Sequence, residues 1–182
     1  MDLDIFAATE VASSQLHVVT SSLNSMTMAM NDWKYKMEIR TKEINRVNNI
    51  SDFRLKTKKS KIVINLVADE LLQFNNRIER EIPIYSENFK KVGESYTRIL
   101  MISKSFNSNN NDFIELKESV TSFLETSEFA LEQSAQLLQT IHNWPPLNNK
   151  FNTAKRTTEL TLSNLTKEMM EGIILLQDSL EN

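Results

Sequence analysis

Apolar residues recur along this chain in steps of three and four, the spacing of amphipathic helices. In the first segment Leu16, Val19, Leu23, Met26, Met30, Trp33, Met37, Arg40, Ile44 and Val47 keep that step, and Arg40 is the one polar residue among them. The pattern is a heptad seam of the coiled-coil kind. It predicts a helix over residues 4–48, stopped by Asn48-Asn49, with Val11, Val18 and Ile39 widening its apolar face.

A second seam follows Ser51-Asp52, a pair suited to cap a helix N-terminus. It reads Ile64, Val67, Leu71, Phe74, Ile78, Ile82, Tyr85, Phe89, Val92, Tyr96 and Ile99, predicting a helix over 52–106. Two successive steps of four, from Phe74 to Ile78 to Ile82, depart from the heptad toward an 11-residue repeat just before Pro83. An interior proline lacks the N–H of a helical hydrogen bond and clashes with the preceding turn. The sequence therefore predicts a kink or a break near 79–83. Asn107-Ser108-Asn109-Asn110-Asn111 then reads as a turn.

The third segment predicts a helix over 112–143. Asp112 stands as N-cap with Glu115 three positions on, the spacing of a capping box with Asp in place of Ser or Thr. Phe113, Leu116, Val120, Phe123, Ala130, Leu137 and Ile141 form its stripe, and Ser127 and Ser134 interrupt it with small side chains suited to close helix approach. Trp144-Pro145-Pro146 ends it, because proline biases its predecessor away from helix. A fourth helix is predicted over 147–181, with Gly172 inside it at a cost of about 1 kcal/mol against alanine.

These segments predict one all-α domain over 1–182. At 1.5 Å per residue the helices measure roughly 65, 80, 50 and 50 Å. Short connections favour antiparallel neighbours, so the expected architecture is an elongated antiparallel four-helix bundle. Helices 1 and 2 outreach the other two and project as a coiled-coil hairpin. With 2 glycines and 3 prolines in 182 residues there is little material for sheets or loop-rich sites. No cysteine is present, which removes disulfides, thiolate metal ligands and cysteine nucleophiles.

Charge adds a place to this shape. Between Lys34 and Lys61 lie 10 basic and 3 acidic side chains, a local +7, while the other 154 residues carry 11 basic and 21 acidic. The expected overhang near residues 48–52 falls inside this stretch. Arg46, Arg54, Lys56, Lys58, Lys59 and Lys61 are its candidate binding residues for an anionic surface, either nucleic acid or acidic lipid. The alternative is a solvated hairpin that keeps the chain in solution. Phe53 and Leu55 interleave with the charges. They suit base faces or lipid, or they close the local hairpin seam. Met30, Trp33, Met37, Ile44 and Val47 continue the seam past the reach of the shorter helices and are the candidates for self-association.

Other chemistry is sparse. His17 and His142 have no Glu three positions before them and no paired histidine, so no metal site is expected. Glu115, Glu118, Glu125, Glu128 and Glu132 read as a solvated helix face rather than paired general acids. Met26, Met30 and Met37 read as core, although with Met28 and Trp33 they resemble an adaptable patch for partner helices. There is no nucleophile elbow, phosphate-cradling glycine loop, zinc spacing or dinucleotide fingerprint. The expectation is a cytoplasmic, non-enzymatic binding, adaptor or regulatory module, without cofactor or small-molecule substrate, that engages another protein, itself or an anionic surface. It has two rivals: a soluble protein that inserts a hairpin into membrane, with residues 3–30 as its best candidate, and a hairpin that binds nucleic acid. The acidic first 15 residues do not resemble a secretory leader, and no run of 18 apolar residues is present.

Overall fold

The computed structural model describes residues 2–106 and 111–181. They form four α-helices and, among the described residues, no strand: α1 (Asp2–Asn48), α2 (Phe53–Phe106), α3 (Asn111–His142) and α4 (Asn149–Glu181). Of the turn expected at 107–111, Asn111 instead begins α3 and the rest lies outside the described residues, as does the Asp112 side chain expected as the cap. The start of α2 is capped as its sequence implies, with Asp52 Oδ1 accepting from the Leu55 N–H at 3.0 Å. The start of α4 is capped two residues later than expected. Asn148 Oδ1 accepts from the Phe151 N–H at 2.8 Å, so Leu147 stays outside the helix.

Each helix packs on two others: α1 on α2 and α3, and α4 on α2 and α3. Cross-helix bonds give the direction of each pairing. From α1 to α2 they join Gln15 to Ser95, Ser22 and Ser25 to Glu81, Asp32 to Arg77 and Arg40 to Glu70, so partners step in opposite senses. From α2 to α4 they join Asn65 to Asn148, Glu79 to Thr161, Ser86 to Glu168 and Thr97 to Ser179, always 82 or 83 positions apart, so partners step together. This corrects the expectation that every neighbour is antiparallel. The two hairpins lie side by side, and the seam between α2 and α4 is parallel.

The core follows the predicted stripes. Leu16, Val19, Leu23, Met26, Met30 and Trp33 of α1 are buried against Leu71, Phe74, Ile78, Tyr85 and Phe89 of α2, together with Val120, Phe123, Ile141, Phe151, Leu162 and Met169 of the second hairpin. Burying each large aliphatic side chain contributes about 1.5–3 kcal/mol. Ser127 and Ser134 are fully buried, and Ser134 shares a 3.1 Å hydrogen bond with Thr166 of α4. Two tyrosines are buried as well, and burial pushes the Tyr85 and Tyr96 phenols above their ordinary range, so both stay neutral.

The helix α2 runs without interruption through Pro83, which is exposed, so no break occurs there. Restoring the N–H with Pro83→Ala should preserve or raise the melting temperature, because the ring opposes the helix around it; a clear drop in a thermal melt would contradict that account. The two glycines separate by environment. A Cβ at Gly172 would stand 3.0–3.2 Å from the Phe89 ring, which is itself pinned between Tyr85 and Phe123 at centroid distances of 5.3 and 5.2 Å. A Cβ at Gly93 meets nothing within 4 Å. Thermal melts should show Gly93→Ala stabilising by up to about 1 kcal/mol from helix propensity alone. The same melts should show Gly172→Ala net destabilising by about 1–2 kcal/mol, as overpacking outweighs the identical gain.

Candidate functional site

The α3–α4 turn closes on the first hairpin through aromatic side chains. Trp33 of α1 lies 5.5 Å from Phe74 of α2 and 5.7 Å from Trp144 of the turn, and Trp144 lies 5.9 Å from Phe151 of α4. Beside this stack Asn148 bonds Asn65 at 3.0 Å and Lys150 pairs with Asp69 at 2.6 Å. Beyond it the character of the chain changes. From Lys34 to Ile62 only Val47 is buried.

The predicted self-association seam divides at this point. Met30 and Trp33 are buried within the chain's own core, at 2% and 3% exposure, because Trp33 fills the junction with Phe74 and Trp144. Neither is free to meet a second copy, and this corrects their assignment. Val47 is also buried, at the level of Val63 on α2, while Met37 is half-buried and Ile44 is exposed. Met26 joins Met30 in the core, whereas Met28 faces solvent.

The six basic candidates divide as well. Arg46, Arg54, Lys58, Lys59 and Lys61 are exposed, and their side chains make no hydrogen bond or ion pair with another described residue. Lys56 differs: its Nζ donates at 2.9 Å to the carbonyl of Asn48, the last residue of α1. It caps that helix C-terminus, where carbonyls lack partners and a cation is favoured. It therefore also closes the turn. Lys155 holds the other hairpin the same way, donating to the carbonyls of His142 and Trp144.

Arg40, the polar residue in the first seam, holds the helices of the tip together. Its Nε and Nη2 donate to Glu70 at 3.0 and 2.7 Å, and Nη1 donates to Glu43 at 2.6 Å. These hydrogen bonds, Glu70 first, push the guanidinium further above its already high range, so it is always charged. Arg40 is thus committed internally, and the free charge of this stretch resides in those five cations together with Lys34, Lys36 and Lys42, which are likewise exposed and unpaired.

Apolar side chains are interleaved with those cations. Phe53 starts α2 at 79% exposure, and Leu55, Ile62 and Leu66 are exposed on α2. Helical spacing puts Leu55, Lys58, Lys59, Ile62 and Leu66 on one outer face. Sequence reasoning found Phe53 and Leu55 but not the continuation through Ile62 and Leu66, which the steps of seven and four from Leu55 would have shown.

No cluster of three metal-ligating side chains occurs among the described residues. His17 is exposed, and His142 Nδ1 lies 3.2 Å from Glu159. All five glutamates of α3 are exposed; Glu128 accepts from Gln177 of α4 at 2.7 Å. A cavity of about 350 Å³ between α1 and α3 is walled by Trp33 and Gln133, whose buried Nε1 and Oε1 lack protein partners and suit ordered water. No helix among the described residues is long and apolar enough to cross a membrane.

Glu70→Ala should lower unfolding free energy by about 2–3 kcal/mol, since it strips a part-buried guanidinium of its bidentate acceptor. Arg40→Leu combined with Glu70→Leu should recover most of that loss, because an apolar pair needs no desolvation of charge; urea melts of the three proteins check this. Comparison of the chain with protein-family models, with curated proteins and with solved structures finds no match.

Proposed function

We propose that this chain is a non-enzymatic binding, adaptor or regulatory module of the cytoplasm, built as an elongated four-helix bundle of two antiparallel hairpins. In this reading the α1–α2 hairpin projects past the α3–α4 turn as a coiled-coil tip and engages an anionic or protein partner. The observation that carries it is the set of five exposed cations, Arg46, Arg54, Lys58, Lys59 and Lys61, with no acidic partner among the described residues. Elsewhere pairs such as Arg77 with Asp32, Lys91 with Glu87, Lys150 with Asp69 and Lys167 with Glu171 alternate with exposed unpaired cations such as Arg80, Lys90, Arg98, Lys117 and Arg156, which are spread along the chain and not gathered at one place. Concentrated unpaired charge raises local potential and steers oppositely charged partners, at a cost in self-repulsion that mixed charges would have avoided.

Both buried tyrosines are held neutral, and the five glutamates of α3 are exposed.

The test replaces Arg54, Lys58, Lys59 and Lys61 by Gln and keeps Lys56, which caps α1. Helicity should stay unchanged and the melting temperature should hold within a few degrees, since all four side chains are exposed and unpaired. Retention of the wild type on immobilised heparin, a generic polyanion, should fall as salt rises, and the variant should elute markedly earlier. Equal retention of the two proteins would show that the tip only keeps the chain in solution.

A further inference from the structure

Resting on this reading of the tip, we infer that its anionic partner is a second copy of this chain, which receives the outer face of α2 in a groove between α1 and α3. Both surfaces are unpartnered within one copy. The face from Leu55 to Leu66 alternates exposed aliphatic side chains with Lys58 and Lys59. At 1.5 Å per residue it is roughly 17 Å long.

The groove lies at the other end of α1. Two adjoining hollows of about 630 and 710 Å³ share Ser13, Glu115 and Ser119 and run from Phe6 to Thr20 on α1. By the same helical rise this is roughly 21 Å, enough for the face of α2. The walls carry Glu10, Glu115 and Glu118 and no lysine or arginine. Phe6 and Val11 stand exposed beside them, and serines along the floor leave room for a helix to approach. Lysines flanking an apolar stripe therefore meet carboxylates flanking a groove lined mainly by serine and threonine, with Phe6 and Val11 exposed toward one end, and the opposite charges set the register.

The seam that forms the groove is the one left unlinked. Hydrogen bonds or ion pairs cross from α1 to α2, from α2 to α4 and from α3 to α4. Among the described residues none crosses from α1 to α3. A copy cannot fill its own groove, because some 45 Å of continuous α1 separates groove from tip, by the rise per residue. A copy bound through its tip keeps its groove free. The contact is heterologous, and assembly grows as a chain.

Bases would stack on aromatic faces, whereas three of the four exposed apolar residues here are aliphatic, which favours a packed protein groove over nucleic acid. An acidic lipid surface shares the charge but has no means to match the length and edges of the stripe.

The experiment is sedimentation velocity on the full chain at tens of micromolar and low ionic strength, with a charge-swapped pair. Lys58→Glu with Lys59→Glu makes one variant; Glu115→Lys with Glu118→Lys makes the other. All four positions are exposed, and circular dichroism verifies folding. The wild type should sediment heavier than a monomer and lighten as salt rises. Each variant alone should associate on the order of tenfold to hundredfold more weakly. An equimolar mixture of the two should restore assembly, since every tip then finds a groove of opposite charge. A wild type that is strictly monomeric at low salt, a variant that assembles as well as wild type, or a mixture that stays monomeric overturns the inference. Monomeric wild type that still binds heparin through its tip leaves the proposed function standing, and flotation with acidic vesicles against a gel shift with RNA then assigns the partner. Loss of both self-assembly and heparin binding in the wild type removes both.

Discussion

The contact on which the rest of the molecule depends is the packing of Trp33 between Phe74 and Trp144. Each of these rings buries on the order of 150–250 Å², so together they rank among the larger apolar contributions in the fold. Because Trp144 belongs to the α3–α4 turn, its docking on Trp33 decides where the second hairpin stops along the first. On one side of that stack the apolar seams of all four helices share one core. On the other side α4 still reaches α2 through Asn148–Asn65 and Lys150–Asp69, while on α1 the burial pattern changes within a turn of helix. The place of the basic tip is a consequence of this junction more than of any basic residue.

Two helices alone cannot exclude much water, so the tip holds together by other means. Arg40 bridges Glu43 and Glu70, Val47 and Val63 are buried further toward the turn, and Lys56 closes the turn onto the end of α1. A part-buried ion pair with three good hydrogen bonds offsets its own desolvation and fixes register, although an apolar pair of similar volume could match it in free energy. Within one run of basic residues, then, Arg40 and Lys56 are structural and their neighbours are free. Composition counts them alike, and only the position of a carboxylate or a helix end separates them.

The polar bonds between helices are distributed unevenly. The α1–α2, α2–α4 and α3–α4 seams each carry several, and the α1–α3 seam carries none among the described residues. Among the described residues, α1 and α3 are joined by packing alone. Two hollows of about 630 and 710 Å³ lie along this seam. Acidic side chains at one end of the chain and unpaired cations at the other give the elongated body two poles.

The sequence by itself determined what local geometry controls. The three-and-four spacing placed all four helices within two residues of their ends, Asp52 announced the start of α2, and Pro145-Pro146 closed α3. Burial of Leu16, Val19, Leu23 and Met26 was legible for the same reason, since a heptad stripe must face something. What that something is was not legible. Periodicity carries no address, so Met30 and Trp33 looked equally ready for a second copy until Phe74 and Trp144, 41 and 111 positions beyond Trp33, were seen to cover them. The parallel α2–α4 seam was hidden likewise, because a short loop constrains only the two helices it joins. The tertiary structure decided the order of neighbours, the end of the shared core and which lysines remain free, because each rests on side chains that meet across dozens of residues rather than within one turn of helix.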